Sequence, residues 1–181
     1  MSSSRLFLIA LLCAACARAR HTAAPARLVQ DPLASPGVVV LIFVRTDCPI
    51  ANRYAPTIRA LAEQYGKQGV RFVLVYPDAD ASAEAIAQHQ GEFALPLEAL
   101  RDPGHAWVAR AGATVTPEVA VYDISHRLVY RGRIDDRFPE PGIALPQAHT
   151  HDLERVLDSL QRGESTPFWS TPAVGCPIPS L

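Results

Sequence analysis

The spacing of apolar and polar positions changes period several times along the chain, and each change marks an element. Residues 37–44, GVVVLIFV, form an unbroken β-branched and aromatic run, which suits a strand buried on both faces. The period then becomes helical. Ile50, Tyr54, Ile58, Leu61 and Tyr65 recur on one face from Pro49 onward, and Gly66 and Gly69 stop the pattern. Pro56 lies inside it and predicts a kink or a local break. A second buried run, VRFVLVYPD, spans 70–78. A helix over 81–93 follows, with Asp78 or Asp80 as its expected cap.

Residues 96–102 read as a short strand and 104–112 as a short helix. TPEVAVYD, 116–123, and HRLVYRGRID, 126–135, read as two strands joined by a turn of hairpin length. The last helix, 149–164, carries Leu153, Val156, Leu157 and Leu160 on one face, with Thr150 placed to cap it. The closing stretch, 165–181, has four prolines in seventeen residues, which excludes a regular element. Parallel crossovers early and a hairpin late give an α/β domain with a mixed central sheet covered by helices.

The N-terminus breaks this pattern. Arg5 precedes twelve apolar or small residues, Leu6 to Ala17, and small residues follow. That is a signal-peptide pattern, too short to span a bilayer comfortably. Export would place the protein in the periplasm or cell envelope. A lipoprotein box ending at Cys16 is the alternative, and a lipid on Cys16 would be the only expected link to a membrane. The expected organisation is a signal over 1–19, a linker over 20–36, a domain over 37–163 and a Pro-rich tail over 164–181. The chain has 181 residues and a net charge of −1, which predicts no broad basic face for nucleic acid. Lys67 is its only lysine, which has no functional reading.

Cysteine usage sharpens the picture. Cys13 and Cys16 lie in the segment that export removes or lipidates, leaving Cys48 and Cys176 in a compartment where disulfides persist. Both sit in the tripeptide Cys-Pro-Ile. Cys48 falls between the first strand and its helix. Free backbone N–H groups and the helix dipole stabilise a thiolate there. Pro49 suits the first helical turn, where its missing N–H costs nothing. Arg45 and Arg53 are close enough in sequence to add positive potential. The alternative is a buried structural cysteine. Thr116-Pro117 opens a strand, a place where proline is permitted.

VVVLIFVRTDCPIANRYAP, VTPEVAVYD and LVYRGRIDDRF together resemble an exported bacterial thioredoxin-like redoxin of the thioredoxin and alkyl-hydroperoxide-reductase class. The resemblance covers roughly residues 37–162. It implies a thioredoxin-like fold, Cys48 as the active cysteine at the head of the first helix, and a cis Thr116-Pro117 bond facing it. Two departures limit the carry-over. Ala51 stands where a thioredoxin has its second cysteine, and Arg45 stands where a peroxiredoxin usually has threonine. The implied activity is thiol–disulfide oxidoreduction, or peroxide reduction, with no cofactor. The substrate is a redox partner protein or a peroxide. A mixed disulfide or sulfenic acid on Cys48 needs a second thiol, and Cys176 is the candidate. Coincidence of the two tripeptides is the alternative. Copper delivery and a non-catalytic interaction domain are the rival classes.

Other polar residues offer less. Asp135 and Asp136 are adjacent and read as solvated or capping rather than as an acid–base pair. His149 and His151 are too few for a metal site, and no metal is expected. His89, His105 and His126 carry no pattern. Trp107 reads as core, and Phe168 and Trp169 as anchors for the tail.

Overall fold

The computed structural model describes residues 25–181. The signal segment, with Cys13 and Cys16, lies outside the described residues. The first apolar run forms β1 (Val39–Phe43), every residue of it buried. Helix α1 (Pro49–Gly66) follows, then β2 (Arg71–Tyr76), α2 (Ala83–Glu92), β3 (Glu98–Arg101) and α3 (Ala106–Ala111). Next come β4 (Val115–Thr116), β5 (Glu118–Tyr122), β6 (Leu128–Gly132), α4 (Asp152–Gln161), β7 (Trp169–Ser170) and β8 (Cys176–Pro177).

The main sheet has six strands in the order β3-β2-β1-β5-β6-β7. β1, β2 and β3 are mutually parallel, whereas β5 runs antiparallel to both β1 and β6. This is the mixed sheet expected from the element order. Alternate residues of β1 feed two cores. Val40 and Ile42 meet Ile58, Leu61 and Tyr65 of α1 and Leu153, Val156 and Leu157 of α4. Val39, Leu41 and Phe43 meet Val108 and Ala111 of α3. Each fully buried Ile, Leu or Phe contributes about 1.5–3 kcal/mol, and the doubly covered centre of the sheet holds many of them. Cys48 leaves from the end of that centre.

Several local expectations give way to the tertiary structure. The helix α1 runs unbroken through Pro56 for 18 residues. Ser82, not Asp78 or Asp80, caps α2, its hydroxyl accepting from the Ala85 N–H at 3.2 Å. Asp78 is instead drawn to Arg45. His151 occupies the cap of α4 without a side-chain bond, and the Thr150 hydroxyl accepts from Arg133. Asp135 is buried rather than solvated. Its Oδ1 accepts from the Tyr54 hydroxyl at 2.6 Å and from the Arg137 N–H at 2.9 Å. Asp136 does act as a loop cap, accepting from the N–H groups of His149 and Thr150. Trp107 is only half-buried, under the Arg110 guanidinium.

The tail departs most from expectation. It supplies two short strands despite its prolines. β7 pairs in parallel with β6, and β8 pairs antiparallel with β4. Each pairing is two residues long; β7 fits between Pro167 and Pro172, and β8 includes Pro177 at an edge position where a missing N–H is tolerated. Trp169 packs against Tyr130 at 4.6 Å and under Arg155 at 4.6 Å, while Phe168 stays 54% exposed. Trp169 alone is therefore the aromatic anchor. The lead-in also joins the sheet, where the Val29 N–H donates to Ala99 O at 2.8 Å and Leu33 is buried. Among the described residues, no helix is long and apolar enough to cross a membrane.

Candidate functional site

Cys48 is the N-cap of α1, with extended φ and ψ of −82° and 109°. Its carbonyl accepts the first helical bond, from the Asn52 N–H at 3.0 Å. Pro49 follows in the first turn, as its lack of an N–H allows. The Cys48 side chain has no exposure to solvent. Its Sγ lies 2.9 Å from the Thr116 carbonyl oxygen, to which the thiol donates. The Thr116–Pro117 bond is cis. The loop that carries it is held from behind by Glu118. That buried carboxylate accepts from the N–H groups of Thr114 and Val115 and faces Arg131.

Cys176 arrives from the tail. In the β4–β8 pair it stands directly opposite Thr116, and the Thr116 hydroxyl lies 3.4 Å from its carbonyl. Both cysteines are free thiols, and Cys176 is brought beside Cys48 by its pairing with Thr116, whose carbonyl accepts from the Cys48 thiol. Gly175 makes this approach feasible. A Cβ there would overlap the Thr116 carbonyl oxygen and sit 2.6 Å from its carbon. Only glycine fits such a close backbone crossing.

The two thiols are electrostatically unlike. Burial pushes Cys48 up, but the Cys176 thiol, the Thr116 hydroxyl and the backbone N–H groups of Ala51 and Cys176 outweigh it. The net direction is down from that of free cysteine. Cys176 is pushed up to about 12, first by burial and then by the hydrogen bond and charge of Cys48. Arg45 opposes that rise. It ion-pairs with Asp78 at 2.9 Å and reaches the Pro177 carbonyl at 3.4 Å, so it holds the tail rather than Cys48. Arg53 is exposed and takes no part.

The structure thus gathers Cys48, Pro49, Thr116, Pro117, Cys176 and Arg45 at one end of the sheet. It also adds residues that the sequence pattern did not mark. Asn52, one turn beyond Cys48, donates to Thr46 O at 3.2 Å and pairs with His89 Nε2 at 2.9 Å. His89 Nδ1 meets the Tyr76 hydroxyl at 2.9 Å. Burial keeps His89 below the usual imidazole range, so this chain is neutral and satisfied. It ties the first turn of α1 to α2 and β2. Nothing in a lone histidine or an asparagine at that spacing announces it. Glu118 was equally silent, being one charged residue in an otherwise apolar strand. Among the described residues, no group of three or more His, Cys, Asp or Glu side chains is placed to hold a metal ion.

A mixed sheet flanked by helices, with a cysteine at a helix head facing a cis-proline loop, defines a thioredoxin-like α/β protein. Residues 29–144 match the family model described as Redoxin. The chain belongs to the Redoxin family. A hypothetical protein from Sinorhizobium meliloti 1021 is 25% identical, with 79% of each chain covered and a TM-score of 0.68. An uncharacterized conserved protein from Geobacillus kaustophilus is 27% identical, with 88% of this chain and 90% of that one covered and a TM-score of 0.70. A thioredoxin-like protein solved in its oxidized form shares the fold at 15% identity, with 72% and 82% covered and a TM-score of 0.53. Among curated proteins, none matches the chain by sequence. The family match includes Cys48 and Pro117 and ends before the tail.

Proposed function

We propose that the protein is an exported, cell-envelope thiol–disulfide oxidoreductase with Cys48 as nucleophile and Cys176 as resolving thiol. The observation that carries this reading is the meeting of two free thiols on Thr116: Cys48 at a helix N-terminus, with its thiol on the Thr116 carbonyl, and Cys176 in register with the same residue. Cys48 thiolate attacks a substrate disulfide. A Cys48–substrate disulfide forms, and the other substrate sulfur leaves as a thiolate. Cys48 then carries no charge and no longer raises the pKa of Cys176, so Cys176 deprotonates more readily. It attacks the Cys48 sulfur, the second substrate thiolate leaves, and the protein ends as a Cys48–Cys176 disulfide. A dithiol donor returns two electrons and resets both thiols. Thr116 and Pro117 shape the floor of the site, and Pro49 and Arg45 place its two ends. A peroxide could replace the substrate disulfide, with Cys48 passing through a sulfenic acid that Cys176 condenses with, releasing water. No observation favours copper delivery, and the acidified thiol disfavours a non-catalytic module.

The test is non-reducing peptide mapping after oxidation with glutathione disulfide. Wild type should yield a Cys48–Cys176 peptide, and Cys176→Ser a glutathione adduct trapped on Cys48. Turnover of a disulfide substrate should be lost in Cys48→Ser and reduced in Cys176→Ser. Free thiols at both positions after oxidation, with turnover intact in Cys48→Ser, would refute the reading.

A further inference from the structure

The tail does more than deliver Cys176, because it fills the edge that a substrate would need. Cys48 is sealed from solvent, so no disulfide can reach it while the tail is seated. The seal has two unequal parts. Around Trp169 it is firm, with the ring tilted against Tyr130 and under Arg155, and the Thr171 hydroxyl bonded to Tyr130 at 2.7 Å. Gly132 meets the Thr171 backbone there with no room for a side chain. Beyond Pro172 the hold is lighter, with Val174, Cys176 and Ile178 only partly buried against the cores. Ile178 N–H donates to Thr114 O at 3.0 Å, and the contacts of the Cys176 and Pro177 carbonyls are both 3.4 Å long. β4 has β8 as its partner and is only two residues long. When residues 173–178 lift away, β4 is left with unpaired backbone groups beside Cys48. Such an edge takes up an extended chain by strand addition.

Building on the oxidoreductase reading, we infer that residues 174–178 are a built-in occupant that competes with a cysteine-bearing polypeptide substrate for the β4 edge, and that this edge selects glycine immediately before the docked cysteine. The selection follows from Gly175. A Cβ at that place would lie 2.6 Å from the Thr116 carbonyl carbon and 3.1 Å from Pro117 N, both backbone atoms that cannot swing aside. The residue after the cysteine needs no N–H of its own, because Pro177 occupies that place in the seated tail. The site therefore reads Gly-Cys-x, with backbone pairing supplying affinity. A bound peptide and the tail exclude one another, so the tail competes with substrate until it is displaced, and returns with Cys176 to resolve the mixed disulfide.

The test uses the chain with its tail intact. Two heptapeptides, AVGCPIP and AVACPIP, are supplied as mixed disulfides with 2-thiopyridine. Cys48 thiolate attacks the peptide sulfur, the Cys48–peptide disulfide forms, and 2-thiopyridone leaves with the electron pair and is read by absorbance. In Cys176→Ser the tail stays seated and both peptides should react slowly. In the double variant Gly175→Ala, Cys176→Ser the tail no longer fits. There the glycine peptide should react about tenfold faster than in Cys176→Ser, and about tenfold faster than the alanine peptide, the effect expected of one misplaced methyl. Equal rates for the two peptides, or no gain on unseating the tail, would overturn the inference. Free 2,2′-dithiodipyridine, applied to the double variant with its tail unseated, serves as a reagent too small to need the edge. If it fails to react with Cys48, the oxidoreductase reading falls, and docking is judged by a second measurement. That measurement uses the non-reactive peptides AVGSPIP and AVASPIP with Cys176→Ser. Saturating AVGSPIP should abolish hydrogen-exchange protection of the Ile178 amide, and AVASPIP should not. Unchanged protection with both peptides would sink the docking edge even if the double variant does not fold.

Discussion

Replacing Cys176 with alanine asks how the Cys48 thiolate is held. Cys48 has no solvent contact, and burial alone would raise its pKa. The Cys176 thiol, the Thr116 hydroxyl and two backbone N–H groups reverse that. Cys176→Ala removes the thiol donor and keeps the Cys176 N–H. A hydrogen bond to a charged group contributes about 1.5–3 kcal/mol, and a thiol is a weak donor, so the lower end applies. At about 1.4 kcal/mol per unit, the Cys48 midpoint should rise by about one unit toward that of free cysteine. Water admitted by the smaller side chain would act in the opposite direction by solvating the thiolate. The assay is iodoacetamide alkylation from pH 5 to 10, with Cys48 resolved by peptide mass. In wild type its rate should climb with pH through a midpoint below that of free cysteine. An unchanged or lowered midpoint in Cys176→Ala would show that solvation, not the neighbouring thiol, sets the acidity of Cys48.

Three further outcomes test the framework around the site. Tyr54→Phe removes the hydroxyl that donates to Asp135 at 2.6 Å and leaves a buried carboxylate short of a partner, so urea denaturation should show a loss of about 1–3 kcal/mol. Gly132→Ala drives a methyl into the Thr171 backbone, which should release β7, quench the Trp169 packing seen by near-ultraviolet circular dichroism, and cost about 1–3 kcal/mol. Oxidation to the Cys48–Cys176 disulfide closes a loop of more than roughly 100 residues, which should stabilise wild type by up to about 5 kcal/mol in thermal melts and leave Cys176→Ser unaffected.

Much of the architecture was legible before any coordinates. An unbroken apolar run has no polar face to turn outward, so residues 37–44 had to be a covered strand. A cysteine between that run and a helical period had to sit at a helix head, with Pro49 inside the first turn. These are local consequences of period and steric preference, and the sheet, the order of its helices and the position of Cys48 follow from them. What the chain does between distant segments was not legible in this way. Asp135 looks like half of an exposed acidic pair until Tyr54, eighty-one residues earlier in sequence, buries against it. His89 is a lone histidine until Asn52 and Tyr76 close on its ring from two other elements. Asp78 leaves the cap of α2 to Ser82 because Arg45 offers a charge. The tail shows the limit most sharply. Its prolines argue against any regular element, yet the tail carries β7 and β8. Prolines do not forbid two-residue pairings at a sheet edge, where a missing N–H faces outward. Whether such short pairings form depends on Trp169 finding Tyr130 and Arg155, and on Gly132 and Gly175 letting backbones touch. Those are contacts between parts of the chain far apart in sequence, and only folding brings Cys176 to Cys48.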